Sequence, residues 1–172
     1  MEQGNPRAVL LTGVYGAGKS SVAAEMATVL EERATPHAAL DLDWLSWFDA
    51  GWDDEPAAFA MLLRNVSDVM ANYRAARIER FILALSVETR EELNGLSEAI
   101  GVPLTVIRLE LPFELIEERL RSDVTTGRAV DLHWASIWID NGTGVGLEDD
   151  VVHNDRPIRQ VALDILVRLD WG

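Results

Sequence analysis

The chain contains no cysteine among its 172 residues. That excludes a disulfide framework, a thiolate metal site and a cysteine nucleophile. Basic residues are also scarce. Fifteen Lys and Arg stand against 29 Asp and Glu, a formal charge of −14. Such a surface repels phosphate backbones, so nucleic acid is not an expected partner. Long apolar runs are missing too; "FILAL" at 81–85 is typical of what is present. None approaches the roughly 20 residues needed to cross a bilayer. The first residues lack a basic segment followed by an apolar one, so no secretory signal is read there. The expectation is a soluble, cytoplasmic protein with no membrane partner, and a homodimer is compatible with it. The three histidines, His37, His133 and His153, are scattered and suggest no metal site.

What is present is an alternation of apolar runs and helical patterns along residues 1–172, without repeats or linkers. This predicts a single α/β domain with a parallel sheet. Strands are expected at 7–12, 37–42, 80–86, 104–111 and 149–154. Helices are expected at 19–34, 57–77, 89–100, 112–122 and 156–171. Gly101 reads as a helix stop and Pro112 as a helix start. Residues 123–148 are expected to hold a mobile loop and a short helix.

The most specific stretch is "LLTGVYGAGKSS" at 10–21. Gly13, Gly18, Lys19 and Ser20 satisfy G-x-x-x-x-G-K-[ST], after a predicted strand and at the start of a predicted helix. Glycines let the backbone turn its N–H groups toward phosphate oxygens, and the helix N-terminus adds its positive dipole end. Lys19 reaches the β- and γ-phosphates, and Ser20 offers its hydroxyl to Mg²⁺. Tyr15, Gly16, Ala17 and Ser21 complete the expected nucleotide-contacting run. An ordinary glycine-rich turn is the alternative. No guanine-reading Asn-Lys-x-Asp is present, which favours ATP.

Asp41 and Asp43 fall near the carboxyl end of the second predicted strand, where ligands of such sheets bind. Residues two apart on an extended segment face the same way. One carboxylate can serve Mg²⁺ and the other can accept a hydroxyl proton from an acceptor. Alternatively, one of them caps the helix that "WLSW" begins. "EERLRSDVTTGR" concentrates Arg119, Arg121 and Arg128 in a segment at about 119–135. They either face phosphates or pair with acids such as Glu117 and Glu118.

Together these features resemble the small P-loop kinases of the nucleoside-monophosphate-kinase-like superfamily. Shikimate, gluconate and adenylylsulfate kinases and chloramphenicol phosphotransferase are its small-molecule members. The resemblance implies a three-layer α/β/α P-loop fold with a five-stranded parallel sheet and a short lid. It implies ATP and Mg²⁺ as cofactors, Asp41 in the metal shell, and Asp43 as the base that engages the acceptor hydroxyl. Arg119 is the lid arginine it favours for catalysis. Arg121 falls toward the nucleotide and Arg128 toward the acceptor. The turn holding Asn154, Asp155, Arg156 and Pro157 would pass beside the adenine, with helix capping as the alternative for Asp155.

Two departures matter. "LALSVETR" replaces the glycine triplet expected after the third strand of a shikimate kinase, so shikimate is not the expected acceptor. "RFILALS" ends in serine rather than a Walker B aspartate, which argues against a motor ATPase. Trp44, Trp47 and Trp52, with Phe48, follow Asp43. They form either an aromatic wall for a flat, partly apolar acceptor or a buried face built on Trp44 and Phe48. Trp134 and Trp138 fall in the lid-proximal segment, and Trp171 reads as structural. "NGTGVG" at 141–146 lacks a lysine and reads as a surface loop. The leading expectation is transfer of the γ-phosphate to a hydroxyl of a small molecule, a metabolite or antibiotic-like alcohol. The alternative is an ATP-binding regulatory protein with weak hydrolysis and no acceptor.

Overall fold

The computed structural model describes residues 5–49, 55–123 and 128–171. Strand β1 (Arg7–Thr12) lies at the centre of the sheet. Around it run β2 (Ala38–Asp41), β3 (Arg80–Ala84), β4 (Leu104–Glu110) and β5 (Asp150–His153), in the order β2-β3-β1-β4-β5. All pairings are parallel, and Leu10 of β1 lies opposite Leu83 and Val106.

Both faces of the sheet are covered, which explains why β1 reads as continuous apolar sequence rather than alternating. Val9 and Leu11 point into one core with Met26, Leu30, Ile165 and Leu166. Those partners come from α1 (Lys19–Glu32) and α7 (Ile158–Arg168). Ala8 and Leu10 point into the other, with Leu62, Met70, Leu96 and Ile100. These belong to α3 (Glu55–Ala75) and α4 (Arg90–Ile100). Helix α4 begins with a full capping box between Thr89 and Glu92 and ends on Gly101 at φ 65°. The expected stop is therefore real, since glycine takes this left-handed position without steric cost. Trp171 is buried as expected, with the Arg80 guanidinium 5.6 Å from its ring centre.

Three expectations change. The short helix α2 (Asp43–Ser46) follows β2 almost at once, so the second strand is shorter than expected. Helix α5 (Phe113–Ser122) is followed by α6 (Arg128–Asn141), which has 14 residues. The helix expected to be short in this segment is thus long, because Ala135 and Trp138 bury an apolar stripe. Finally, Pro157 takes the N-cap position of α7 with no side-chain cap, so Asp155 does not cap that helix.

Candidate functional site

The phosphate loop leaves β1 at Gly13 and enters α1 at Lys19. Gly13 has φ 131°, and a Cβ there would lie 2.7 Å from the Leu109 carbonyl oxygen. Gly18 has φ 88°, and a Cβ there would lie 2.6 Å from Asn154 Nδ2. Both positions therefore require glycine, for conformation and for space. Lys19 is the chain's single lysine. Its Nζ donates to the carbonyls of Gly13 at 3.0 Å and Val14 at 3.2 Å. Ser86 Oγ, just beyond β3, also donates to the Gly13 carbonyl at 3.0 Å. Burial lowers the Lys19 pKa to about 8, against the opposing pull of Asp43, Asp41 and Asp131.

Ser20 Oγ donates to Asp41 Oδ2 at 2.5 Å, and Asp41 Oδ1 accepts from the Asp43 N–H at 3.1 Å. The carboxylate that steadies the start of α2 is thus Asp41. Asp43 is the first residue of that helix. The two do not converge by strand alternation as expected. Leu42 turns the chain into the helical region at φ −74°, ψ −16° and buries its own side chain. Asp43 keeps a solvent-facing edge. Partial burial, then the charge of Asp41, push its carboxyl above the ordinary range, while Lys19 pulls it down. Ser20 and Asp41 supply two hard oxygens on one open side of the loop, a donor set that suits Mg²⁺ with its remaining waters. Among the described residues no group of three or more His, Asp or Glu makes a metal site on its own.

Tyr15, expected in the nucleotide-contacting run, faces the loop together with two acids that sequence reasoning did not select, Asp131 and Glu88. Tyr15 is half-buried, 5.6 Å from the Trp138 ring and 5.7 Å from Lys19 Nζ by its own ring centre. Burial raises its pKa, reinforced by the charges of Asp43, Glu88 and Asp131. Asp131, in the first turn of α6, thus acts on Tyr15, Lys19 and Asp43 together. Its three-residue offset from Arg128 is the sole trace of this in the sequence. Glu88 stands in the "LALSVETR" departure.

The arginines divide. Arg119 Nη2 donates to the Asn154 carbonyl at 2.7 Å, beside Gly18. Arg121 is exposed and pairs with Glu117 at 2.7 Å, the surface alternative. Arg128 begins α6, but its side chain lies outside the described residues. Arg156 pairs with Asp164 at 2.6 Å, on the side of α7. Asn154 is buried, and its Nδ2 donates to the Ala17 carbonyl at 2.7 Å. Its amide serves the loop and is engaged there. Asn154→Ala leaves that carbonyl unpaired and is expected to cost roughly 1–3 kcal/mol. Urea unfolding checks this, and Asn154→Asp, which puts an acceptor against an acceptor, should not rescue it.

The tryptophans also divide. Trp44 and Trp47 are 67% and 76% exposed, with ring centres 5.0 Å apart. Phe48 is 38% exposed. The buried face expected from Trp44 and Phe48 does not form. The physical reason is that α2 has only four residues and contributes Leu45 alone to the adjoining core. Trp52 lies outside the described residues. Trp134 is exposed and Trp138 buried. The 142–146 turn is a surface loop as expected, with Gly142, Gly144 and Gly146 all at positive φ.

No protein-family model matches the chain, and no curated protein sequence matches it. Solved structures do. An APS kinase of Mycobacterium tuberculosis, in complex with AMPPNP and APS, has TM-score 0.67 and 21% identity over 96% of this chain and 98% of that one. An unliganded sugar kinase from Janibacter has TM-score 0.67 and 20% identity, covering 97% and 95%. A shikimate kinase from Bacteroides thetaiotaomicron has TM-score 0.66 and 14% identity, covering 95% and 98%. This chain has the fold of the small P-loop kinases: a five-stranded parallel sheet between helical layers. No described helix is long and apolar enough to cross a membrane.

Burial of Lys19 sets a pH dependence. Bound phosphate favours the charged amine, while the nucleotide-free protein gives up that proton near pH 8. ADP affinity should therefore be level below that pH and fall above it, by at most about tenfold per pH unit. Calorimetry checks this. Because there is one lysine, a ¹⁵Nζ resonance reads its titration without ambiguity.

Proposed function

We propose that this protein is an ATP- and Mg²⁺-dependent phosphotransferase that moves the γ-phosphate to a hydroxyl of a small molecule. The observation that carries the reading is Asp43. It combines a raised carboxyl pKa with a place beside the phosphate-loop lysine and an edge open to solvent. A base needs that combination, because an ordinary aspartate is too weak to take a hydroxyl proton.

In this reading Gly13–Ser21 hold the nucleotide, and Lys19 leaves the Gly13 and Val14 carbonyls for the phosphates. Ser20 and Asp41 hold Mg²⁺, which neutralises charge on the transferring group. Asp43 accepts the acceptor's proton. Arg119 steadies the Gly18 end of the loop through Asn154, and Arg128 is the residue proposed to meet the acceptor. Trp44 and Trp47 offer an exposed aromatic face one turn from Asp43 for a flat, partly apolar acceptor. Weak ATP hydrolysis with no acceptor is the second reading, and the openness of that aromatic face is what favours it. An alcohol screen monitored by ADP release separates the two. An alcohol that stimulates release and is recovered phosphorylated supports transfer; release that no alcohol changes supports the regulator.

A further inference from the structure

A cavity of about 170 Å³ shares a wall with the phosphate loop, at Gly13 and Val14. Its other walls are mostly apolar: Leu111, Phe113, Ile116, Trp138 and Val145. It is the size of one ring, since a dry apolar cavity of about 150 Å³ takes benzene. Its polar side is Arg108 and Glu110. Arg108 donates to Glu110 at 2.9 Å and Glu148 at 3.3 Å, while its buried Nε has no hydrogen-bond partner among the described residues. The three groups together carry one excess negative charge. The second oxygen of Glu110 has His153 Nδ1 at 3.9 Å, beyond hydrogen-bond reach. The cavity therefore offers a ring-sized apolar space with a carboxylate at its side and a guanidinium whose charge two carboxylates offset. It shares Gly13 and Val14 with the phosphate loop, but none of its lining comes from Asp43 or α2.

We propose that this cavity binds a small aromatic amine, its ring against Trp138 and Phe113 and its ammonium on Glu110. The site is coupled to the nucleotide. Its wall residues Gly13 and Val14 supply the carbonyls that hold Lys19. Trp138 on the same wall packs on Tyr15. A ligand that fits the cavity in this arrangement favours the lysine-retracted loop, and nucleotide binding requires Lys19 to leave. The amine thus opposes nucleotide, and nucleotide opposes the amine by the same factor.

The test titrates the full chain with 2-phenylethylamine, 2-phenylethanol and 3-phenylpropionate, followed by calorimetry. The amine should bind at least about tenfold tighter than the acid, because the carboxylate attracts one and repels the other. Glu110→Gln should erase that preference and leave ADP affinity without amine unchanged. Should that variant fail to fold, Val145→Trp, which fills the mouth from an exposed position, should abolish amine binding instead. Saturating amine should weaken ADP binding roughly fivefold or more. Equal binding of all three compounds, binding of none, or a preference that survives Glu110→Gln overturns the site. Unchanged ADP affinity overturns the coupling. Amine binding is read without any phosphoryl transfer, so it stands or falls separately from the proposed activity.

Discussion

Lys19→Met is expected to abolish nucleotide binding and at the same time stabilise the nucleotide-free protein. The amine is 8% exposed and lies on two backbone carbonyls. Burial brings its pKa from 10.5 to about 8, so at neutral pH the charged form is held at a cost. A shift of that size corresponds to about 3 kcal/mol on the charged form. Methionine fills the same channel without charge. Each carbonyl loses one donor and keeps another: Val14 retains the Ala17 N–H at 3.1 Å and Gly13 retains Ser86 Oγ. The net gain should be roughly 1–2 kcal/mol.

The sign fixes the pH window. The folded pKa lies below the unfolded one, so the native state releases its proton first. Wild-type stability then rises as pH climbs from about 8 toward 10.5. The advantage of the variant is complete below pH 8 and shrinks across that interval. Thermal unfolding at several pH values measures it. Undiminished ADP affinity in the variant would sink the phosphate-loop reading; equal stability at neutral pH would sink the account of burial. A residue that weakens its own fold to hold a ligand is a common trade between stability and function.

Asp43→Asn should lower turnover with an acceptor alcohol by roughly 10²–10⁴-fold. Nucleotide affinity should be unchanged or slightly improved, because a negative charge beside Lys19 is removed. In the wild type, the rate should rise with pH through a carboxyl pKa above the ordinary aspartate value. The variant should lose that limb. Turnover preserved in Asp43→Asn would return the residue to a structural role and leave transfer without a base.

Much of this was legible because it is local. The phosphate loop depends on consecutive residues, and glycine at positions 13 and 18 is required by backbone geometry within a few bonds. The central strands were readable because a sheet covered on both faces needs uninterrupted apolar sequence. Asp41 and Asp43 lie close to the loop, but not for the reason the sequence suggested. Strand alternation was expected, whereas a one-residue helical turn at the buried Leu42 brings Asp43 round. Helix α6 was expected to be short because its apolar stripe is thin, and it is held by packing on α5 and Tyr15.

The alternatives that the sequence left open depended on distant partners. Nothing in "EERLRS" tells Arg119 from Arg121. One meets Asn154, 35 residues away, and the other meets Glu117 one turn back. Trp44 and Trp138 are the same residue type in comparably apolar settings, yet one is exposed and the other buried. The sequence by itself determined the glycine-and-lysine loop and where in the chain it lies, since that motif is built from neighbours. Only the tertiary structure decided which charges surround it. Asp131, Glu88, Asn154 and the cavity behind Gly13 come from separate elements, and their fields and contacts exist only once the sheet has brought those elements together.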